Sequence, residues 1–232
     1  MNWCDSRRTP DMTPEESEPT SAPVPMALPS DRRGEGDLLI PEDTYLTSGV
    51  HIGTQQKSAS MRKFIFKIRY DGLYVLDIKE TDRRLRLAAK FLSRFPADRI
   101  LAVSQRQYGQ KPVKVFAKHV GALTFDERFV PGSLTNPNLP TFLEPKVLFV
   151  SDPATDMQAL SEALAIGIPV VGFCDVNNDT RYVDLAIPAN NKGRAALATL
   201  YWLLTRELLR EQGKLTEANP FTLTVDDFQA AL

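Results

Sequence analysis

The hydrophobic positions of the chain form short apolar runs that alternate with helical patterns. Val147–Val150 and Pro169–Cys174 contain no polar gap, which predicts strands buried on both faces. Between them, Met157, Leu160 and Leu164 recur at helical spacing, so we expect them on the buried face of a helix. A strand, a helix and a second strand in this order indicate a parallel sheet with helices packed against it.

The same alternation continues on both sides of this segment. Ile100–Val103 and Leu185–Ile187 predict two more strands, and a last helix is expected from about Asn191 to Gln212. Asp77 should cap a helix whose core face has five members: Leu85, Ala88, Ala89, Leu92 and Phe95. The segment from Ser104 to Pro112 leads into a further helix, which ends at Gly121.

One antiparallel element interrupts this scheme. Asp71-Gly72 separates the segments Phe64–Tyr70 and Leu73–Ile78, which is a strong signal for a β-hairpin. A short helix is expected after Pro41, and residues 51–61 are polar and predict a surface loop. The predicted fold class is therefore α/β, with a mainly parallel sheet, helices on both faces and one antiparallel hairpin.

Polar side chains follow the predicted parallel strands, where open sheets of this kind bind ligands. Asp152, Asp175 and Asn191 could hold a phosphate or a metal ion, which would suit a sugar-phosphate or nucleotide enzyme. Alternatively, Asp152 caps a helix that begins at Pro153, strengthened by a capping box one turn later. The chain has neither a GxGxxG nor a GxxxxGK[ST] motif, and this favours the structural alternative and predicts no cofactor.

Composition divides the chain into three parts. Residues 1–37 are rich in proline and acids, which predicts a disordered extension, and they lack the pattern of a secretory signal. Residues 38–212 form the predicted α/β domain, and residues 213–232 a tail that packs on the domain or on a partner. No apolar run approaches the ~18 residues of a membrane span. Cys4 and Cys174 are too isolated for a disulfide framework or a metal site, as expected in a reducing compartment.

The distribution of charged residues along the chain is more informative than the overall composition. The whole chain has a formal net charge of −1, but residues 38–212 contain 23 Lys and Arg against 18 Asp and Glu. Five of these cations lie close together without an intervening acid: Lys57, Arg62, Lys63, Lys67 and Arg69. Such a run can be a solvated face, yet cations in an aperiodic loop also suit contacts with phosphates. The long segment 123–145 is a second functional candidate, because structureless loops of this length are uncommon.

Several motifs together resemble the family of the second small-subunit ribosomal protein, whose eukaryotic member is also called the laminin-receptor precursor. The matching segments are Ser48–Thr54, Phe64–Lys67, Asp71–Asp77, Arg106–Pro112, Arg128–Pro137, Ser151–Pro153, Arg181–Pro188 and Asn190–Gly193. The resemblance covers roughly residues 38–228 and leaves the extension 1–37 without a counterpart. It implies a flavodoxin-like fold and a structural role in the small ribosomal subunit during translation.

The resemblance also implies what the chain should contact and where. The partners would be small-subunit ribosomal RNA and neighbouring ribosomal proteins, on cytoplasmic ribosomes, with no catalysis, small-molecule substrate or membrane. We expect RNA contacts at Lys57, Arg62, Lys63, Lys67 and Arg69, and next at Arg106, Lys111, Lys192 and Arg194. The helical hairpin of bacterial members has no room between Leu85 and Val103, and the long acidic C-terminal extension of animal members is absent. An archaeal relationship is therefore expected.

Overall fold

A computed structural model describes residues 38–125, 128–215 and 221–230 of the chain. The strands are β1 (Ile65–Ile68), β2 (Tyr74–Leu76), β3 (Ile100–Val103), β4 (Leu123–Thr124), β5 (Val147–Val150), β6 (Val170–Cys174) and β7 (Leu185–Pro188). The helices are α1 (Glu42–Ser48), α2 (Ile78–Leu92), α3 (Gln107–Val120), α4 (Met157–Ile166), α5 (Arg194–Glu211) and α6 (Val225–Phe228). The prediction for residues 1–37 lies outside the described residues.

The main sheet has five parallel strands in the order β4-β3-β5-β6-β7. This is the flavodoxin-like order, in which β4 lies on one side of β3 and the later strands β5, β6 and β7 are added on the other side. The expected fold class is confirmed, including the separate antiparallel pair β1-β2. In such sheets the ligand crevice opens beyond the carboxyl ends of the strands where the order reverses, here between β3 and β5.

Helices cover both faces of this sheet. Ile100 and Ala102 of β3 face a core shared with α2, α3 and α5, whereas Leu101 and Val103 face α4. This alternation explains why the strands are apolar throughout, because each face of the pleat is buried. The last predicted helix is present as α5, and five residues at helical spacing on its buried face are 0% exposed: Leu197, Leu200, Tyr201, Leu204 and Leu208.

The prediction for the start of α4 is wrong. Residues 153–155 form turns, and the helix begins at Met157 with Asp156 in the N-cap position. The Asp156 carboxylate accepts hydrogen bonds from the backbone N–H groups of Gln105 and Asp152, which keep this segment out of the helix. Thr155 and Gln158 form no capping box, since Gln158 donates to Glu162 instead.

The buried face of α4 also differs from the expected one. Met157 and Leu164 are 49% and 56% exposed, and of the predicted stripe only Leu160 is buried. Glu162 decides the orientation, because its buried carboxylate accepts backbone N–H bonds from Gly132 and Leu134 at 2.7 and 3.1 Å. Turning this face outward would leave those buried donors without a partner, which costs more than exposing two apolar side chains.

Three smaller differences complete the comparison. Helix α3 begins at Gln107, so Pro112 lies inside it and not before it. The long segment after Gly121 is less irregular than expected, because Leu123–Thr124 joins the sheet as its edge strand. Phe95 lies beyond the end of α2 and is only half-buried. Within the described parts of the chain, no helix is both long and apolar enough to cross a bilayer.

Candidate nucleic-acid interface

The β1-β2 hairpin emerges from a firmly anchored base. Met61 and Phe64 are buried in a small apolar cluster together with Val176, which follows β6. Backbone bonds fix the preceding loop, with Ser58 N–H donating to the carbonyl of Val176 at 2.8 Å and Gly53 N–H to that of Tyr74 at 2.9 Å. The loop predicted for residues 51–61 is therefore partly buried, and it holds the hairpin in one place against the sheet.

Gly53 lies where the hairpin and the loop after β6 approach most closely. A Cβ atom at this position would lie 2.4 Å from a methyl carbon of Val176 and 2.9 Å from the carbonyl oxygen of Tyr74. Any side chain would have to push the hairpin away from the sheet. The glycine is required here by close approach of the backbone.

We call Lys57, Arg62, Lys63, Lys67 and Arg69 the hairpin cluster. All five side chains are exposed. Arg69 lies 3.4 Å from the Asp71 carboxylate, but none of the other four forms an ion pair or a side-chain hydrogen bond with a described residue. Lys57 and Lys63 instead place their ammonium groups 5.2 and 5.0 Å from aromatic ring centroids. Lys57 and Lys63 are thus positioned by packing, and all four cations without an ion pair remain available to an external anion.

The hairpin also exposes large apolar side chains that were not predicted as site residues. Phe66, Ile68 and Tyr70 are 69%, 58% and 98% exposed. A bulge at Phe66 shifts the register between β1 and β2, so that neighbouring apolar and basic side chains both reach solvent. The alternation of apolar and basic residues in the sequence is typical of a strand with one buried face, which is why these side chains were missed.

An open groove of about 760 Å³ lies beside the hairpin. Its lining includes Phe66, Lys67 and Arg69 from the hairpin, Lys79 from α2 and His51. Burial lowers the pKa of His51, and the nearby cations Arg69 and Lys67 lower it further, while a backbone hydrogen bond opposes them. The histidine is therefore neutral at physiological pH, and the positive charge of this side of the groove comes from the lysines and the arginine.

The carboxyl edge of the main sheet is the second polar region. We call its residues the strand-end network: Asp152, Asp156, Asp175, Asn178, Asn191, Arg106 and Lys192. Asp152 is fully buried and accepts from Arg106 Nε at 2.6 Å and from Asn178 Nδ2 at 2.9 Å. Because Arg106 follows β3 and Asp152 follows β5, their ion pair occupies the crevice where this fold usually binds a ligand.

Most of the remaining polar groups of the network also have partners, although the buried Asn191 Oδ1 accepts no hydrogen bond from a described residue. Lys192 Nζ donates to Asp175 Oδ2 at 2.8 Å and to Asn177 Oδ1 at 2.9 Å. Asn178 Oδ1 accepts from the Asp175 backbone N–H at 2.6 Å and from Asn191 Nδ2 at 2.9 Å. Three side chains were candidates for an enzyme site of this fold: Asp152, Asp175 and Asn191. Each of them already bonds to another side chain of the network.

Burial has its largest electrostatic effect in the network at Asp156. Burial raises the pKa of this carboxyl, the nearby Asp152 carboxylate also raises it, and three backbone N–H donors lower it, so that the resulting pKa is about 7. Asp156 thus ionises near neutral pH while serving as an acceptor for Gln105 and Asp152. In the described residues, no group of three or more His, Cys, Asp or Glu is arranged to hold a metal ion.

The remaining predicted RNA contacts are engaged with the C-terminal segment. Lys111 Nζ donates to the carbonyl of Gln229 at 2.8 Å, and Arg194 donates to that of Ala230 at 3.2 Å. Phe228, which directly precedes Gln229, is buried in the main core. The nine predicted cations therefore separate into the exposed hairpin cluster and four residues that hold the chain's own groups.

Comparison with known proteins places this geometry in context. The sequence profile of the family "Ribosomal protein S2" matches residues 45–139 and 140–210. The small ribosomal subunit protein uS2 of Thermoplasma volcanium is 53% identical over 198 residues, covering 85% of this chain and all of the relative. The protein of the same name from Methanoregula boonei is 55% identical over 194 residues, covering 84% of this chain and 93% of the relative. The expected archaeal relationship is confirmed.

Proposed function

The chain belongs to the ribosomal protein S2 family, and on this premise we propose that it binds the RNA of the small ribosomal subunit through the hairpin cluster. The family is a structural component of the ribosome and not a family of enzymes. The proposal adds which residues make the contact: Lys57, Arg62, Lys63 and Lys67, with Arg69 shared between RNA and Asp71. It also places the chain on cytoplasmic ribosomes, next to other small-subunit proteins.

One observation carries the proposal. Four exposed cations of the hairpin cluster have no anionic partner among the described residues, whereas Arg106 and Lys192 each hold a buried carboxylate. Arg106 and Lys192 are therefore less suited to RNA contact than their sequence positions suggested. The cluster projects from a rigid base, so a phosphate backbone can meet several cations without reordering the protein.

The experiment removes three of the unpaired charges together. Lys57→Gln, Arg62→Gln and Lys63→Gln are combined in the full chain, and binding to deproteinised small-subunit RNA of Thermoplasma acidophilum is measured over a series of potassium chloride concentrations. The slope of log affinity against log salt should fall by roughly 0.7–0.9 for each phosphate interaction that the substitutions remove. The unfolding midpoint should not change, because the side chains are exposed.

A matched variant controls for net charge. Lys90, Arg94 and Lys118 are also exposed, and they lie near the ends of α2 and α3, at the opposite edge of the sheet. Changing these three to glutamine removes the same charge and should leave the salt slope close to that of the wild-type chain. Equal slopes for the two triple variants would contradict the proposal, since only general attraction to RNA would then be involved.

A further inference from the structure

The tip of the hairpin presents an aromatic ring that the phosphate contacts do not use. Tyr70 is 98% exposed, more than any other exposed large hydrophobic side chain of the described residues. The turn that carries it is well defined, with Arg69 N–H donating to Leu73 and Gly72 N–H donating to Arg69. Gly72 has φ +79°, a conformation that favours glycine and closes the turn directly after Tyr70 and Asp71. The backbone that carries the ring is therefore fixed, and the ring itself projects into solvent.

Cations flank the exposed rings of the hairpin. The Arg69 guanidinium lies 5.9 Å from the centroid of Tyr70, and Lys67 Nζ lies 5.9 Å from that of Phe66. No acid occurs between residues 57 and 70. An apolar pocket on a protein partner would bury these cations next to the rings at a high desolvation cost. Unpaired RNA supplies base faces for the rings and phosphates for the cations.

We propose that the hairpin tip binds unpaired nucleotides of RNA, with one base stacked on Tyr70 and the adjoining phosphates near Lys67 and Arg69. This inference rests on the proposed function. It adds a preference for unpaired RNA to the phosphate contacts, since duplex RNA offers no free base face. Phe66, four residues earlier along the hairpin, is a second platform. Binding of this kind tolerates different base sequences, because every base has a π-face.

The test separates stacking from charge and from apolar burial. Single-stranded oligo(A) carrying one 2-aminopurine and a duplex of the same length are the probes, with the full chain and its variants Tyr70→Phe, Tyr70→Leu and Tyr70→Ala. The phenylalanine variant should bind like the wild type. The leucine and alanine variants should lose about 5- to 150-fold in affinity for the single strand, the range expected for one base–aromatic stack. Quenching of 2-aminopurine fluorescence should disappear with them.

Three further readouts make the outcome decisive. The salt slope should remain that of the wild type in every Tyr70 variant, and duplex binding should not change. Ile68→Ala, which removes an exposed side chain without a π-face, should retain both affinity and quenching. If Tyr70→Leu keeps full affinity for the single strand, stacking is wrong. If Tyr70→Ala binds free RNA normally but weakens assembly into the subunit, stacking is likewise wrong and the tip contacts a protein. The phosphate contacts can still hold in that case, because they are judged from the salt slope of the triple variant.

Discussion

The hairpin cluster and the strand-end network both contain cations, but the cations differ in whether they are paired with carboxylates of the same chain. Both are polar, and both were candidates for function from the sequence. In the network, Arg106 and Lys192 reach buried carboxylates at 2.6 and 2.8 Å, and the Asn178 amide bonds to both Asp152 and Asn191. In the hairpin cluster, only Arg69 of the five cations has an ion-pair partner in the described chain, 3.4 Å away. The number of charges is thus a poor guide to function, and their pairing within the fold is a better one.

The comparison also shows what lies in the crevice where flavodoxin-like proteins usually bind a ligand. The Arg106–Asp152 ion pair and the Asp156 carboxylate occupy the space beyond β3 and β5. These side chains join the strand ends to each other. The proposed RNA contacts lie in an element outside the parallel sheet, in agreement with the general rule that fold alone does not determine function.

Breaking the strand-end network should produce the largest change in stability. Asp152→Ala leaves the Arg106 guanidinium half-buried without its anion and removes the acceptor of Asn178, so a loss of about 3–5 kcal/mol in unfolding free energy is expected. Asp179→Ala is the matched control, because its 2.6 Å ion pair with Arg181 is exposed at the surface. That control should lose at most about 1 kcal/mol. Urea unfolding followed by circular dichroism measures both, and equal losses would show that burial is not the deciding difference.

A smaller effect should appear in the pH dependence of stability. The pKa of Asp156 is raised from its usual 3.8 to about 7, so the folded chain binds this proton more tightly than the unfolded chain does. Its contribution is fully present below the usual pKa, and it is lost as the pH rises through about 7. Asp156→Asn cannot ionise, and its unfolding free energy should decline less between pH 5 and pH 8.

The control for this prediction is a carboxyl shifted in the opposite direction. Hydrogen bonds and charge from Arg83 and Arg84 lower the pKa of Glu80 to about 2, so its contribution is lost only as the pH falls below its usual value of 4.5. Glu80→Gln should therefore alter stability in acid and leave the decline between pH 5 and pH 8 unchanged. If Asp156→Asn declines as steeply as the wild type, another group titrates in this window.

The sequence predicted those features that depend on neighbouring residues. The apolar runs identified β3, β5, β6 and β7, Asp71-Gly72 identified the hairpin, and the unbroken run of cations identified the hairpin cluster. The sequence did not predict the contacts between residues that are far apart along the chain. Arg106 and Asp152 are separated by 46 residues, and the contact of Glu162 with Gly132 that orients α4 spans 30. No local pattern distinguishes a carboxylate that will find such a partner from one that will not.

The smallest expected change in stability belongs to the hairpin cluster itself, and it provides the most direct test of the account. The combined variant of Lys57, Arg62 and Lys63 is compared with a combined variant of Arg106, Lys111 and Lys192, since each removes three positive charges. Salt-dependent binding to deproteinised small-subunit RNA is measured at a temperature where both are folded by circular dichroism. The salt slope of the hairpin variant should fall by about 2–3, and its stability by at most ~0.5 kcal/mol. The variant of Arg106, Lys111 and Lys192, whose side chains hold the chain's own groups, should lose stability and keep its slope, and the opposite assignment of the two losses would contradict the account.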